Sequence, residues 1–215
     1  MPQTLAISKR IVSLAQLKER WPTLRQTEQD NFFSEWQESL PTLTTAEIAR
    51  LEQYHHRYQR HRDQGELSES TVKLLLVFPL LELAGFYDEP FFLSGEQSVE
   101  IDIEERNERL RGRIDTLVIR SDLWVLIVEA KRSVSFAAAI PQALAYLLAN
   151  PQPQYPAYAM VTDGDLFMFI KMAYSPLEYD FSEPISLLVP RRNRLYEVLQ
   201  ILKQISIQLQ DSQPT

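Results

Sequence analysis

An apolar strand that ends in two charged residues constrains the fold of this chain more than any other feature. The run from Trp124 to Lys131 reads WVLIVEAK, so Glu129 and Lys131 follow five consecutive apolar residues. Side chains alternate along a strand, which places Glu129 and Lys131 on one face and roughly 7 Å apart. Charged groups are costly in a buried strand unless a partner compensates them. The run therefore predicts a buried strand whose end carries a polar site.

The preceding segment supplies a second carboxylate. The run from Arg113 to Arg120 reads RIDTLVIR, and residues 121–123 are typical of a short turn, so we expect two neighbouring antiparallel strands. Asp115, near one end of this pair, then lies opposite Glu129, near the other end. We predict that these two carboxylates reach a common cation.

The donor set of this predicted site suits a hard divalent cation. Mg²⁺ prefers carboxylate and carbonyl oxygens, which Asp115, Glu129 and the carbonyl of Ala130 would supply, and we expect Mn²⁺ to substitute for it. Lys131 would orient the attacking water or stabilise charge on the phosphoryl oxygens. This chemistry is metal-dependent phosphodiester cleavage. The plain alternative is that Glu129 and Lys131 are solvated residues at a strand end, paired with other surface charges.

Residues from about 71 to 172 resemble the PD-(D/E)xK nuclease superfamily, especially the nuclease module at the start of type I restriction enzyme R subunits. The resemblance rests on the segments Arg113–Asp115, Val128–Arg132, Gln142–Tyr146 and Val161–Gly164. Ile114 stands where the name-giving proline would be. The resemblance implies a restriction-endonuclease-like three-layer α/β sandwich with a mixed central sheet, and an endonuclease that acts on DNA in restriction, defence or repair.

The resemblance also implies a role for each matching residue. Asp115 and Glu129 would bind Mg²⁺, and Lys131 would assist the water or the transition state. Gln142 and Tyr146 lie four residues apart on the next helix and would border the site. Without the resemblance, Gln142 and Tyr146 read as an ordinary amphipathic surface.

Two apolar helices are expected on either side of the strand pair. Residues 71–86 form a strongly apolar stretch that ends at Gly85, and Glu82 is its only acid. Related nucleases often place a helical glutamate against the metal, which makes Glu82 a candidate catalytic residue and metal ligand; the alternatives are a salt bridge or an exposed helix face. Residues 136–150 form an alanine-rich helix in which Pro141 marks either the start or a bend.

Two groups of arginines are candidates for binding a phosphate backbone. Residues 106–113 are expected to form a basic hairpin connection, from which Arg109, Arg111 and Arg113 would point toward DNA in the cleft, although they could equally pair with neighbouring acids. Arg57 and Arg60, the second group, lie on a predicted helix that begins near Thr44 and runs to about residue 62.

This N-terminal helix has a clear start signal. Thr44 and Glu47 form a capping-box pattern. Tyr54 and Tyr58 are interleaved with its arginines, which predicts a basic face with aromatic members that could follow a phosphate backbone; the alternative is a solvated helix that covers the core.

The order of the predicted elements gives the organisation of the chain. Helix, three strands, helix and two strands predict a mixed sheet with helices on its faces. We expect an N-terminal helical region at 1–64, a nuclease-like core at 65–190, and a C-terminal amphipathic helix packed on the core at 191–215. Residues 163–165 (DGD) signal a hairpin between the last two strands.

Composition limits the functional classes. Cysteine is absent and no long uncharged apolar stretch occurs, so we expect a cytoplasmic protein that does not enter a membrane. His55, His56 and His61 lack a fourth ligand at zinc-site spacing. The formal net charge is −7, which opposes tight nonspecific DNA binding by a monomer and favours a homodimer or a partner subunit. A non-catalytic nuclease-fold module that binds nucleic acid or protein is the alternative function.

Overall fold

The computed structural model describes residues 3–37, 40–103, 108–120, 123–130 and 136–211. The strands are β1 (Gln3–Ala6), β2 (Arg25–Gln26), β3 (Phe92–Ile103), β4 (Glu108–Arg120), β5 (Leu123–Ala130), β6 (Ala157–Thr162), β7 (Leu166–Tyr174), β8 (Leu177–Phe181) and β9 (Ile185–Ser186). The helices are α1 (Ile7–Arg10), α2 (Leu14–Arg20), α3 (Thr45–Arg62), α4 (Glu69–Val72), α5 (Phe78–Leu83), α6 (Phe136–Leu148) and α7 (Leu195–Asp211). None of these helices is long and apolar enough to cross a bilayer.

The described strands form one mixed sheet. Its order is β1-β4-β5-β6-β7-β8-β2, with β3 paired to β4 and β9 paired to β7. Antiparallel β3 covers one edge of β4 from Glu108 to Ile119. The other edge of β4 is therefore shared: β1 pairs with it in parallel at Glu108–Arg111, and β5 pairs with it antiparallel from Thr116 to Arg120. The antiparallel pairing of β4 and β5 confirms the prediction from sequence.

Helices cover both faces of the sheet, which gives a mixed α/β fold in three layers. Alternate residues of β6 show the division: Tyr158 and Met160 belong to the apolar cluster under α3, α5 and α7, whereas Ala159 and Val161 belong to the cluster under α1, α2 and α6. The six apolar positions that the sequence predicts for α7 are buried in the first cluster, whereas Ile207 of the same helix is exposed. The six are Leu195, Val198, Leu199, Leu202, Ile205 and Leu209.

The apolar helix predicted at residues 71–86 is interrupted by one wide turn. A π-helical segment, Lys73–Val77, joins α4 to α5, and the backbone N–H of Phe78 donates to the carbonyl of Lys73. Pro79 follows at the start of α5 and has no N–H to donate, and its ring would crowd the carbonyl four residues earlier, which explains the widened turn. Gly85 adopts a φ of 85° just past the end of α5, as a helix-terminating glycine does.

The N-terminal residues contribute to the sheet as well as to the helical layers. β1 and β2 lie at the two ends of the strand order, and neither was predicted because four-residue and two-residue strands carry no periodicity. Buried Glu35 fastens this region to the sheet: its Oε1 accepts from Lys171 Nζ at 2.6 Å and from the Tyr158 hydroxyl at 2.7 Å. Burial, and then the charge of Glu35, raise the pKa of Tyr158.

Helix α3 begins at the predicted capping box. The Thr44 hydroxyl accepts from the Glu47 backbone N–H at 3.2 Å, and the Glu47 carboxylate accepts from the Thr44 N–H at 2.7 Å. Lys203 of α7 donates to the same carboxylate at 2.5 Å, so one residue both caps α3 and joins α3 to α7.

Glu47→Gln is expected to lower the free energy of unfolding by about 1 kcal/mol at neutral pH, because a charge-assisted hydrogen bond is lost. Burial raises the Glu47 pKa, but hydrogen bonds from Lys203 and Thr44 more than offset this, so the pKa lies below its usual 4.5. A lowered pKa stabilises the fold above the unfolded-state value, and that contribution is lost as the pH falls through the folded-state value. Urea unfolding from pH 7 to pH 3 should show the two proteins converging; a constant difference would contradict this account.

Candidate active site

Asp115 lies on β4 and faces the helical layer of α4 and α5. The even-numbered neighbours Leu110 and Ile114 are buried in the cluster under α6, so Asp115 points from the opposite face. Its Oδ1 is 3.8 Å from Nζ of Lys73, and the two side chains are 19% and 17% exposed. The alternation of side chains between the two faces of β4 is interrupted here. Ile114 and Leu117 are three residues apart, yet both are buried in the same cluster. The carboxylate is therefore largely buried, at an irregular point of the strand.

The strand register brings the backbone of Glu129 to Asp115. The pairing of β4 with β5 ends at Thr116 and Val128. Asp115 and Glu129 are the next residues of the two strands. On its other edge β5 runs parallel to β6, where Glu129 pairs with Val161 and Ala130 with Thr162. The side chain of Glu129 and all of Lys131 lie outside the described residues.

Helix α6 reaches β4 beside Asp115. The Tyr146 hydroxyl donates to the carbonyl of Arg113 at 3.2 Å, on the stretch of β4 between its β1-paired and β5-paired segments. Gly112 makes this approach possible: a Cβ there would lie 2.7 Å from Tyr146 Cε1 and 2.8 Å from Ile7 Cδ1. The predicted helix face of Gln142 and Tyr146 is thus packed against the strand that carries Asp115.

Gln142 lies one helical turn before Tyr146 and carries an unsatisfied acceptor. Its side chain is 7% exposed, and among the described residues its Oε1 has no hydrogen-bond partner. The Thr116 hydroxyl, next to Asp115, is buried in the same unpaired state. Buried polar atoms without partners are rare in folded proteins and often mark a functional site. Pro141 is buried inside α6, so the helix continues through the proline instead of starting there.

The basic segment before Asp115 is a strand, which corrects the predicted hairpin connection. β4 begins at Glu108, so Arg109, Arg111 and Arg113 alternate along the face of β4 that Asp115 shares. The neighbouring strand β3 is described up to residue 103, and its last residues pair with the arginine-containing part of β4, from Glu108 to Arg113. Arginine side chains therefore form a row that leads to Asp115.

Glutamate neutralises part of this row. Glu100 of β3 lies 3.9 Å from Arg109 Nη1 and 3.4 Å from Arg111 Nε. Arg111 and Arg113 are nevertheless exposed, with 62% of the Arg111 side chain accessible. Exposed ion pairs of this kind contribute little to stability.

Glu82 lies on an exposed helix face, which is one of the alternatives that the sequence left open for it. Its side chain is exposed, and it lies roughly two turns beyond Lys73, the residue of this helix that contacts Asp115. The nearby Tyr87 has a raised pKa because of burial first and the charge of Glu82 second. The described contacts do not bring Glu82 to Asp115, and a metal-binding role for Glu82 stays a prediction.

Sequence reasoning missed Lys73. It is the only basic residue in the apolar stretch 71–86, just as Glu82 is the only acid. The rule that a buried charge requires a partner was applied to Glu82, whereas the buried member of the two is Lys73.

The predicted basic face of α3, with Arg57, Arg60 and interleaved tyrosines, is found only in part. Arg57 and Arg60 are exposed on α3, but Tyr58 is 2% exposed and does not belong to a basic surface. Its hydroxyl donates to Asp165 at 3.0 Å, and Arg62 donates to the same carboxylate. Burial and the charge of Asp165 raise the pKa of Tyr58. Tyr58 therefore fixes α3 to the β6–β7 turn, because its ring spans the helix and the core.

The donor chemistry around Asp115 fits a hard cation. The described groups are the Asp115 carboxylate, the hydroxyl of the adjacent Thr116 and the Ala130 backbone carbonyl, whereas α6, which carries Gln142, packs on the opposite face of the sheet. All three groups are oxygen donors, as Mg²⁺ and Mn²⁺ prefer. Within the described part of the chain no three His, Asp or Glu side chains cluster.

Comparison with known proteins finds similarity among solved structures. No family model matches the chain, and no curated protein matches it. Among solved structures it is similar to a fragment of a putative HsdR subunit of a type I restriction enzyme from Vibrio vulnificus YJ016, with a TM-score of 0.38 and 20% identity. That match covers 54% of this chain and 23% of the other. Similarity at this level establishes neither fold family nor activity.

Proposed function

We propose that this chain is a metal-dependent nuclease of the PD-(D/E)xK type that hydrolyses DNA phosphodiester bonds. The observation that carries the proposal is the register of β4 and β5. Beyond the Thr116–Val128 pair, the largely buried Asp115 on β4 and the backbone of Glu129 on β5 are the next residue of each strand. Two carboxylates on paired strands form the usual protein contribution to a Mg²⁺ site. The three-layer arrangement of helices and mixed sheet is compatible with a restriction-endonuclease-like core, which we place at residues 65–190.

The residues divide the work of the proposed reaction. Asp115, Glu129 and the Ala130 carbonyl would hold Mg²⁺ or Mn²⁺, with Glu82 as a further candidate. The bound ion supplies acidity to a coordinated water and polarises the phosphate. Lys131 would orient the attacking water and stabilise charge on the phosphoryl oxygens. The water oxygen would bond to phosphorus and release a proton to solvent while the bond to the leaving sugar oxygen breaks, and that oxygen would take up a proton from solvent.

The helix face of α6 would position these groups. Tyr146 holds the Arg113 carbonyl and so fixes β4 two residues before Asp115. The unsatisfied Oε1 of Gln142 would accept a hydrogen bond from a site water or from Lys131. Neither residue is required to exchange a proton with substrate.

The row of arginines on β4 is the proposed DNA path. Arg109, Arg111 and Arg113 share the strand face of Asp115, and phosphate contacts of this kind position a duplex without reading its sequence. Arg57 and Arg60 would add contacts from α3. A net charge of −7 limits affinity, so we propose a homodimer or a partner subunit as the DNA-binding form.

Arg111→Ala is expected to weaken DNA binding and to reduce the slope of log K against log salt by about 0.9, the value for one phosphate contact. Fluorescence anisotropy with a labelled duplex, in Ca²⁺ to avoid cleavage, measures this slope. Arg192→Ala is the matched control, because Arg192 is 66% exposed and also paired with a glutamate, Glu197. Equal slopes for Arg111→Ala and the parent would exclude Arg111 from the DNA path.

One observation favours the alternative, a non-catalytic module that binds nucleic acid or protein. Lys73 pairs with Asp115, and a salt bridge alone accounts for a largely buried aspartate in a strand. In that case the nuclease fold would serve as a platform, with DNA affinity that is independent of divalent ions.

Plasmid nicking distinguishes the two functions. The parent and Lys131→Ala are incubated with supercoiled DNA in Mg²⁺, in Mn²⁺ and in EDTA. The nuclease proposal predicts nicks that need the metal and that fall at least about 100-fold for Lys131→Ala, since the lysine acts on the reacting phosphate. Cleavage in EDTA, or equal cleavage by both proteins, would reject it; metal-independent gel retardation without cleavage would support the platform.

A further inference from the structure

The ammonium group of Lys73 lies next to Asp115, a ligand of the proposed metal site. Its side chain is 17% exposed, and within the described residues its ion-pair partner is Asp115. A largely buried ammonium in an apolar helix is costly without a counter-charge. Lys73 therefore depends on the same carboxylate that the proposed metal requires.

The Lys73–Asp115 pair is looser than other buried pairs in this molecule. Its N–O separation is 3.8 Å, whereas Lys171 lies 2.6 Å from Glu35 and Lys203 lies 2.5 Å from Glu47. Charge-assisted hydrogen bonds are normally about 2.7–2.9 Å long. Lys73 thus compensates the charge of Asp115 without the short contact that would occupy an oxygen lone pair.

The helix segment that carries Lys73 is also unusual. Lys73 opens the π-helical turn, and its carbonyl accepts the i+5 bond from Phe78. Such turns are costly relative to α-helix and are frequent at functional sites. Because Lys73 and Asp115 lie on separate elements, the flexible lysine stem can withdraw while β4 stays in place.

We propose that Lys73 is a resident counter-ion that competes with the divalent cation for Asp115 and so sets the metal affinity of the site. This inference rests on the proposed function, since it requires Asp115 to be a metal ligand. Without metal, Lys73 neutralises the carboxylate and keeps β4 in its folded position. When a cation binds Asp115, the ammonium loses its partner and is repelled by the ion, which lowers affinity. Lys73 is a positioning residue and takes no part in bond breaking.

Mn²⁺ titration, followed by the EPR signal of the free ion, tests this role without any cleavage assay. Lys73→Met is expected to lower the Kd for Mn²⁺ about tenfold or more and to enlarge the rise in Tm on adding Mn²⁺, because one opposing charge is removed. Lys73→Arg keeps the charge and should restore a Kd near that of the parent. Lys73→Gln gives a second neutral variant if the methionine protein does not fold.

Lys203→Met is the matched control, since it removes a similarly buried lysine on α7 from the carboxylate of Glu47 on α3. It should lower Tm without changing the Kd for Mn²⁺. In an Asp115→Asn background, Lys73→Met should no longer tighten binding, which shows that the effect acts through Asp115.

The outcomes separate this inference from the proposed function. Mn²⁺ binding by the parent that is lost in Asp115→Asn, together with an unchanged or weaker Kd in both Lys73→Met and Lys73→Gln, would overturn the role of Lys73 and leave the nuclease proposal standing. An absence of Mn²⁺ binding in every variant would overturn both.

Discussion

Asp115→Asn is expected to reduce metal-dependent DNA cleavage at least about 1,000-fold. The substitution replaces a charged ligand with a neutral amide of the same shape, so a hard cation loses a carboxylate it strongly prefers. A loss of this size corresponds to roughly 4 kcal/mol of transition-state stabilisation. Initial rates of plasmid nicking in saturating Mg²⁺ measure it.

The fold is expected to survive Asp115→Asn. The apolar neighbours Ile114 and Leu117 remain buried, so the loss of the counter-charge of Lys73 should lower Tm without unfolding the protein. Asp180→Asn on β8 is the matched control, because Asp180 is also a half-buried strand aspartate, with Gln26 as its hydrogen-bond partner. Cleavage by Asp115→Asn within tenfold of the parent would show that Asp115 is not a metal ligand.

Gly112→Ala is expected to lower the free energy of unfolding by about 1–3 kcal/mol, the usual cost of overpacking. The new methyl group would lie 2.7 Å from the Tyr146 ring and 3.0 Å from its hydroxyl, so the tyrosine must move away from the Arg113 carbonyl. Displacement of Tyr146 loosens β4 beside Asp115, and we expect cleavage to fall at least about tenfold. Urea unfolding and plasmid nicking measure the two effects.

Gly95→Ala provides the control for Gly112→Ala. Gly95 lies on the neighbouring strand β3, and a Cβ there would meet no atom within 4 Å. This protein should match the parent in both stability and activity. If Gly112→Ala behaves like Gly95→Ala, then the contact between α6 and β4 has no part in holding the site.

Patterns of sufficient length predicted most of the core. The β4–β5 pair, α3 with its capping box and the β6–β7 hairpin follow from alternation, turn residues and capping chemistry, each of which acts within a few residues. The same local rules predicted that Gln142 and Tyr146 share a helix face. Their contact with β4 also depends on Gly112, whose need for space is invisible until Tyr146 is placed.

The remaining errors come from long-range contacts and from charge. β1 and β2 exist because β4 and β8 offer free edges to them, and no local signal marks such short strands. Arg109 and Arg111 were assigned to a connection because they are charged, although pairing with β3 makes them part of a strand. Lys73 was overlooked because the need of a buried charge for a partner was considered only for Glu82, and burial, which distinguishes the two, cannot be read from the sequence.

A crystal of the protein soaked in Mn²⁺ tests the central claim most directly, because anomalous scattering locates the ion. The account predicts one strong peak that lies within about 2.5 Å of carboxylate oxygens of both Asp115 and Glu129. The account would be contradicted by a peak that is bound by only one of these side chains or by neither. It would also be contradicted if the two carboxylates lay on opposite faces of the sheet.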